Sequence, residues 1–491
     1  MYNDPLMVLR EYVQNAVDSL DLVYQRGGIR QGDGKVDVQI DGLNRVISVT
    51  DNGVGVSKDD VVGTLCSLGC STKDRFEHRG FRGIGRLGGL GYCDQLVFET
   101  RSTESEPIFV VSWDGKELRE LRGSGANRES AESAVRRSVS ITSRNPEKSD
   151  PASFFRATMR NVHRFHWDEI MNPKIVAGFL ARVVPVDFDD DHFEFGPEIR
   201  RYVSQVPGYR SYNIFLNNEP VRRPHTRLVN LEGKSPDEIK KVKLFDVLSS
   251  DGQIFGRGWY AVTDFLSALP SQVEMRGIRV RQGNIEIGDE YSIANLYSER
   301  RFATWHIGEI HLDYSIKANA RRDGFEHSPN YEAFLEQMSF LCRQLSTVCR
   351  ESSKKRSKEK ASETAIDRLE GLLQLRVVID RKELLKALEN AELRLKQLAA
   401  VRYPSPMLES LRARLEEAKI MLNGDSDKKP NFSDLLDGRS LRFAEPRKVL
   451  RDIAQAIIAS YDGRMSKERL LSLVFAEYLR KGALSQLMEK N

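Results

Sequence analysis

Between Leu9 and Leu20 the chain repeats on a helical period. Leu9, Val13, Ala16 and Leu20 share one side at about 100° per residue, and Glu11, Asn15 and Asp18 fall in a narrow arc on the other. The spacing predicts a helix that turns an apolar face to a core and a carboxylate–amide–carboxylate row elsewhere. A plain surface helix more often carries Lys–Glu pairs four apart; a solvated polar face is the simple alternative for this stretch taken alone. The period then changes to two. Val36-Asp37-Val38-Gln39-Ile40 and residues 45–50 alternate about Asp41-Gly42, which predicts a hairpin with one buried face. Strand-like segments recur at 95–100, 108–113, 138–142 and 154–159, and the polar stretch 123–134 reads as a surface insertion. Strands in hairpin order with a helical layer predict an α+β sandwich on an antiparallel or mixed sheet.

Further along, 212–217, 277–281 and 305–310 read as strands of a second region. Leu369, Leu372, Leu373, Leu384, Leu385, Leu388 and Leu395 return to helical spacing, and Leu408, Leu411 and Leu415 continue it after Pro404 and Pro406. That pattern predicts an antiparallel helical hairpin or coiled-coil arm. Residues 449–487 read as a last helical module behind the polar linker 424–430. The expected division is 1–163, 164–349, 350–424 and 425–491.

Composition narrows the classes. The chain has 491 residues, enough for two to four domains, and 40% of them are hydrophobic. Its 75 basic and 71 acidic side chains leave a net charge of +4, so a polyanion-binding surface would have to be a local patch. Residues 351–363 are one such run, with Lys354, Lys355, Arg356, Lys358 and Lys360; they read as a solvated helix or linker, with a nucleic-acid patch as the alternative. No apolar run approaches the roughly 20 residues of a membrane helix, and no signal sequence opens the chain. A cytoplasmic protein with reduced cysteines is expected; Cys66, Cys70, His78 and Cys93 match no standard zinc spacing.

Two polar motifs carry candidate chemistry. Asp51-Asn52-Gly53-Val54-Gly55 directly follows an apolar strand, a turn whose glycines permit positive φ or close approach of another group; by itself it is also an ordinary loop sequence. The stretch 68–91 holds seven glycines, among them Gly80, Gly83 and Gly85, interleaved with Ser71, Thr72, Lys73, Arg75, Arg79, Arg82 and Arg86. Its backbone N–H groups and basic side chains suit phosphate oxygens. It is neither a P-loop nor a Rossmann turn, since the lysine motif and the βαβ context are missing.

Taken together, Glu11-x-x-x-Asn15-Ala16-x-Asp18, Asp51-x-Gly53-x-Gly55, Gly80-x-x-Gly83-x-Gly85 and Thr158 resemble, in this order, the motifs of the Bergerat-fold (GHKL) ATPases. Those are the gyrase, heat-shock chaperone, histidine kinase and mismatch-repair ATPases. The resemblance implies ATP and Mg2+. Glu11 would be the general base toward the γ-phosphate, Asn15 the Mg2+ ligand, and Asp18, Gly53 and Gly55 parts of the nucleotide pocket. Asp51 would accept the adenine amine, aided by a water held near Thr158, while Ser71, Thr72, Lys73 and the turn at Gly80, Gly83 and Gly85 would form a lid over the phosphates. Ala157 stands where the family has Gly before the Thr. The helix begins almost at Met1, where relatives carry a preceding strand, so either that segment is missing or the start is truncated.

The run 305–323, ending Asn319-Ala320-Arg321-Arg322-Asp323, is similar to the middle domain of the ninety-kilodalton heat-shock chaperones (HtpG type). There an arginine reaches the γ-phosphate; Arg322, with Arg321 next to it, would take that role. The plain alternative is a helix-start salt bridge. An ATP-driven clamp that dimerises on nucleotide and acts on a protein client is the function these resemblances imply. The rival keeps the ATPase but directs it to DNA through Lys354–Lys360, as in mismatch repair or anti-phage defence. A histidine kinase is disfavoured because the ATPase region comes first, and a topoisomerase because no toprim-like acidic cluster is present.

Overall fold

In the computed structural model the opening helix, α1 (Leu6–Gln25), is buried around nearly its whole circumference. The structure describes residues 4–27, 32–66, 85–103, 106–123, 136–148, 150–231, 237–249, 251–263, 267–319, 322–374, 381–401 and 405–423. The Asp4 carboxylate accepts from the Leu6 N–H at 2.8 Å and so satisfies an orphan donor of the first turn. Leu9, Val13, Ala16 and Leu20 are buried as their spacing predicts, but so are Val8, Tyr12 and Val17. Between Leu6 and Leu20 only Met7, Glu11, Asn15 and Ser19 keep partial exposure, one in every four positions. The helix is therefore a core element with one narrow open stripe.

It packs on an eight-stranded sheet made from β1 (Lys35–Asp41), β2 (Val46–Asp51), β3 (Cys93–Arg101), β4 (Ile108–Asp114), β5 (Val139–Arg144), β6 (Phe154–Val162), β7 (Asn213–Leu216) and β8 (Glu219–Pro220). The order is β5-β4-β3-β6-β2-β1-β7-β8, antiparallel except where β7 runs parallel to β1. This is the mixed sheet of an α+β fold. Register sets its two faces. Ile47, Leu96 and Met159 line up across β2, β3 and β6, as do Val49, Phe98 and Ala157, and all six are buried in the core shared with α1. The other face carries polar pairs, including Arg156 with Glu99 at 3.2 Å. Helices α2 (Gly115–Gly123) and α3 (Pro173–Val183) follow; the Asn172 side chain caps α3, with Pro173 in its first turn. Residues from 170–186 and 212–221 complete the same core, so this first lobe extends beyond residue 163.

A second lobe begins near Phe188 and holds α4 (Gly196–Val203), the short pair β9 (Leu228–Val229) and β10 (Asp237–Glu238), and a five-stranded sheet. That sheet consists of β11 (Lys241–Leu248), β12 (Ile254–Val262), β13 (Gly277–Gln282), β14 (Ile285–Ile287) and β15 (Ile307–Leu312), in the order β11-β12-β15-β13-β14. Every residue of β13, β14 and β15 is buried, charged ones included. Arg223, Arg281 and Glu309 form a buried triad, and Arg279 pairs with Glu286. Pairing is what makes these charges tolerable away from water.

Three further helices are α5 (Pro329–Gln374), α6 (Arg381–Ala399) and α7 (Leu408–Asn423). The chain divides into two compact units, Met1–Ser346 and Thr347–Asn491, with the division inside α5. In the second unit Ile366, Leu369, Leu373, Leu384, Leu395, Leu411 and Leu415 share one core, and Arg414 ties α7 to Asp367 and Glu370 of α5. Leu385 instead faces solvent. The expected linker 424–430 and final module 449–487 lie outside the described residues. No described helix is long and apolar enough to cross a membrane.

Candidate functional site

Asp51 ends β2 and is 2% exposed. Its carboxylate accepts from the Gly53 N–H at 2.9 Å and from the Ser19 hydroxyl, whose oxygen accepts in turn from the Val54 N–H at 3.1 Å. Among the described residues no basic side chain faces it. Burial consequently pushes its pKa up to about 7, even though both hydrogen bonds pull the other way. A shift of that size corresponds to roughly 4 kcal/mol of unmet demand on the ionised form. Burial thus favours the neutral acid, and a hydrogen-bond donor brought against Asp51 would favour the carboxylate.

The turn after Asp51 is shaped for close approach. A Cβ on Gly53 would lie 2.1 Å from Ser19 Oγ and 2.7 Å from Asp51 Oδ1. Gly55 has φ +63°, and a Cβ there would meet the Arg101 carbonyl at 2.0 Å. Gly55 admits only glycine, and Gly53 admits a side chain only if Ser19 or Asp51 moves. The Thr100 hydroxyl accepts from the Val56 N–H at 2.8 Å and donates to the Phe154 carbonyl at 3.1 Å, which fixes the turn to β3 and β6.

Glu11 occupies the open stripe of α1, with its side chain 15% exposed and Arg10 at 3.9 Å. The 3-10 helix Gly85–Gly91 arrives directly over it: a Cβ on Gly85 would sit 2.7 Å from Glu11 Oε2. Gly89 is fastened to the same helix through its N–H, which donates to the Tyr12 hydroxyl at 3.1 Å. Glu11, Asn15 and Ser19 then form a row leading toward Asp51, spanning about 12 Å along the helix axis.

Two expectations change in this geometry. Asp18, expected in the arc of Glu11 and Asn15, is buried beside the stripe, which continues instead through Ser19. Sequence reading missed Ser19, although its spacing of four from Asn15 and eight from Glu11 was there to be counted. Thr158 pairs with Ser48 and Val97, whereas Asp51 pairs with Phe155. Directly opposed residues share a face, so Thr158 points to the opposite side of the sheet from Asp51, and the two do not converge on one water. A hydroxyl of matching parity is Ser153, one residue before β6.

Ser71, Thr72, Lys73, Gly80, Gly83 and Arg321 lie outside the described residues. Arg322 belongs to the second lobe, mostly buried, with φ +57°. A tight loop holds this left-handed backbone: Asn319 Nδ2 donates to Asp323 at 2.6 Å, the Arg322 N–H donates to the Asn319 carbonyl at 3.0 Å, and the Arg322 carbonyl accepts from Gly288 at 2.9 Å. A non-glycine residue in this region costs on the order of 1–2 kcal/mol, so the surrounding contacts impose it.

Residues 3–138 match the family described as histidine kinase-, DNA gyrase B-, and HSP90-like ATPase. The chain is 28% identical over 134 residues to the chaperone protein HtpG of Citrobacter koseri, a match covering 23% of this chain and 21% of that protein. HtpG of Clostridium acetobutylicum is 26% identical over 132 residues, and that of Escherichia coli 27% over 132, each across 21% of its length. The chain thus spans about a fifth of the length of the curated relatives it matches. The matched segment contains α1, the turn after β2 and the Gly85–Gly91 helix, the three elements that meet at the stripe.

Proposed function

We propose that this chain, whose residues 3–138 match the histidine kinase-, DNA gyrase B-, and HSP90-like ATPase family, binds and hydrolyses ATP as a conformational clamp acting on a protein client. The observation that carries the proposal is Asp51, a buried carboxylate with no cation against it among the described residues, beside a turn whose glycines leave no room for a side chain. An exocyclic amine supplies the missing donor. Guanine would set a carbonyl against the same oxygens, leaving acceptor facing acceptor, so the position selects adenine.

From there the phosphates extend along the α1 stripe. Asn15 offers an amide oxygen, partly exposed between Ser19 and Glu11, and this fits a hard cation; Mg2+ bound there would offset the phosphate charge. Glu11 takes a proton from the attacking water as its oxygen bonds to the γ-phosphorus. The bond to the β–γ bridging oxygen breaks, and ADP leaves with that electron pair. Ser71, Thr72, Lys73, Gly80 and Gly83 would close over the phosphates, with Gly85 marking where the lid meets Glu11. Arg322, permanently charged and held in a tight loop, would reach the γ-phosphate from the second lobe, with Arg321 beside it. Closure would bring two copies together, a homodimer formed on nucleotide binding and reopened after hydrolysis.

The test is Glu11→Ala. Mg-ATP binding should persist while turnover falls by about 10²–10⁴-fold; unchanged turnover would remove Glu11 from this role. Light scattering with and without a non-hydrolysable ATP analogue tests the clamp, and a monomer in both states would overturn it. The DNA-directed alternative predicts ATPase stimulation by DNA at moderate salt, lost on neutralising Lys354–Lys360. In that run Lys354 and Lys360 are exposed, while Lys358 Nζ donates to the Gln397 carbonyl at 2.9 Å. The basic run is thus partly spent on helix packing, which favours the clamp.

A further inference from the structure

The C-terminal half of α1 is gripped by polar contacts that its apolar core does not require. Asp21 accepts from Arg210 Nη1 at 2.7 Å and from the Tyr212 hydroxyl. Tyr212 also stacks on Tyr24, one turn along the helix, with centroids 6.4 Å apart. The second lobe holds the same three-residue segment from its other side: Asn284 Nδ2 donates to the Arg210 carbonyl at 3.0 Å and to Ser211 Oγ at 3.2 Å.

Asn284 belongs to the two-residue turn between β13 and β14. Gly283 and Asn284 have φ of +54° and +65°, as a type I′ hairpin turn demands. Such turns normally lie at the surface; this one is buried, with Asn284 1% exposed. Its Asn284 Oδ1 takes the Arg223 guanidinium, which also pairs with Glu309, and Arg281 Nε reaches Glu309 at 2.8 Å. At the far end of β14, the Gly288 N–H donates to the Arg322 carbonyl. From α1 through 210–212 to the hairpin and on to Arg322, every junction is an ion pair, a hydrogen bond or covalent chain.

We infer that Asp21 is a positioning residue that sets the register of α1, and with it Glu11, against the β13–β14 hairpin and the Arg322 loop. The inference rests on the ATPase reading of Glu11 and Arg322. Val8, Leu9, Val13, Val17 and Leu20 already bury the helix, but apolar packing resists small slides and rotations weakly compared with a directed charge pair. Displacing reacting groups by about 1 Å costs on the order of 10²-fold in rate. A contact that prevents such a slide acts on turnover and leaves nucleotide affinity alone.

Asp21→Asn removes the charge and keeps the shape, and Arg210→Gln breaks the same pair from the other side. Each should lower kcat by about 10–100-fold with the Kd for Mg-ATP and the melting temperature little changed, and Asp21→Glu should recover part of the loss. Because continuity of contacts is not coupling, the deciding measurement is a double-mutant cycle on kcat with Arg322→Lys. The double variant should lose little more than the worse single one. Additive losses, or losses of kcat and affinity that track a fall in folded protein, would overturn the inference. If wild-type protein fails to turn over ATP, the underlying reading has failed; if it turns over and Asp21→Asn matches it, only this inference has.

Discussion

Asp51 in the first lobe and Glu309 in the second are both carboxylates withdrawn from water, and their environments move them in opposite directions. Burial pushes Asp51 up to about 7, and two hydrogen bonds fail to pull it back. Burial acts on Glu309 as well, but Arg223 and Arg281, with His311 donating, hold it well below the usual carboxylate range. The difference is one of partners, not depth. A buried acid whose cations are built in is finished structure; one left without a cation is waiting for a donor from outside. By this criterion Asp51 of the first lobe suits the proposed binding site, and the charge cluster around Glu309 is structural.

The comparison breaks most visibly at Glu309. Glu309→Gln leaves two buried guanidinium groups without a countercharge and should destabilise the protein by about 3–5 kcal/mol, read from urea denaturation. Asp51→Asn should do the reverse to the unliganded protein, stabilising it at pH 8, while weakening ATP binding by at least about 100-fold in calorimetry, or roughly 3 kcal/mol. If both substitutions destabilised the apo protein alike, the distinction between the lobes would be lost.

The same contrast sharpens along the pH axis. Asp51 has a raised folded pKa, so its contribution to stability is present below about pH 4 and lost as pH rises through about 7. His306 and His311, pushed down to about 4 by burial, contribute stability above about pH 6.5 that is lost as pH falls through about 4. Urea midpoints of the unliganded protein should therefore peak between these limits, and Asp51→Asn should remove the alkaline arm alone. ATP affinity should rise with pH through 7, with proton release, because the adenine amine prefers the ionised acid. The smallest test is steric. Gly53→Ala should cost about 1–3 kcal/mol by driving a methyl into Ser19, whereas Gly42→Ala, in open space, should cost a few tenths at most.

Much of the first lobe was legible in the chain because its signals are local. The 3.6 period of α1, the alternation of β1 and β2, and the segments that became β3 to β6 each follow from side-chain direction along a single element. The glycines at 53 and 55 announced a turn under steric demand in the same way. What no stretch could reveal is the register between strands. Whether Thr158 shares a face with Asp51 depends on which β6 residue stands opposite β2, and a shift of one reverses the answer. The burial of Asp18, the meeting of Gly85 with Glu11 and the parallel docking of β7 on β1 are likewise products of assembly. So is the second lobe's interior, where Arg279, Arg281, Glu286 and Glu309 read as surface residues until packing places each beside its countercharge. Periodicity belongs to one element at a time, whereas register and charge pairing exist only between elements distant in the chain.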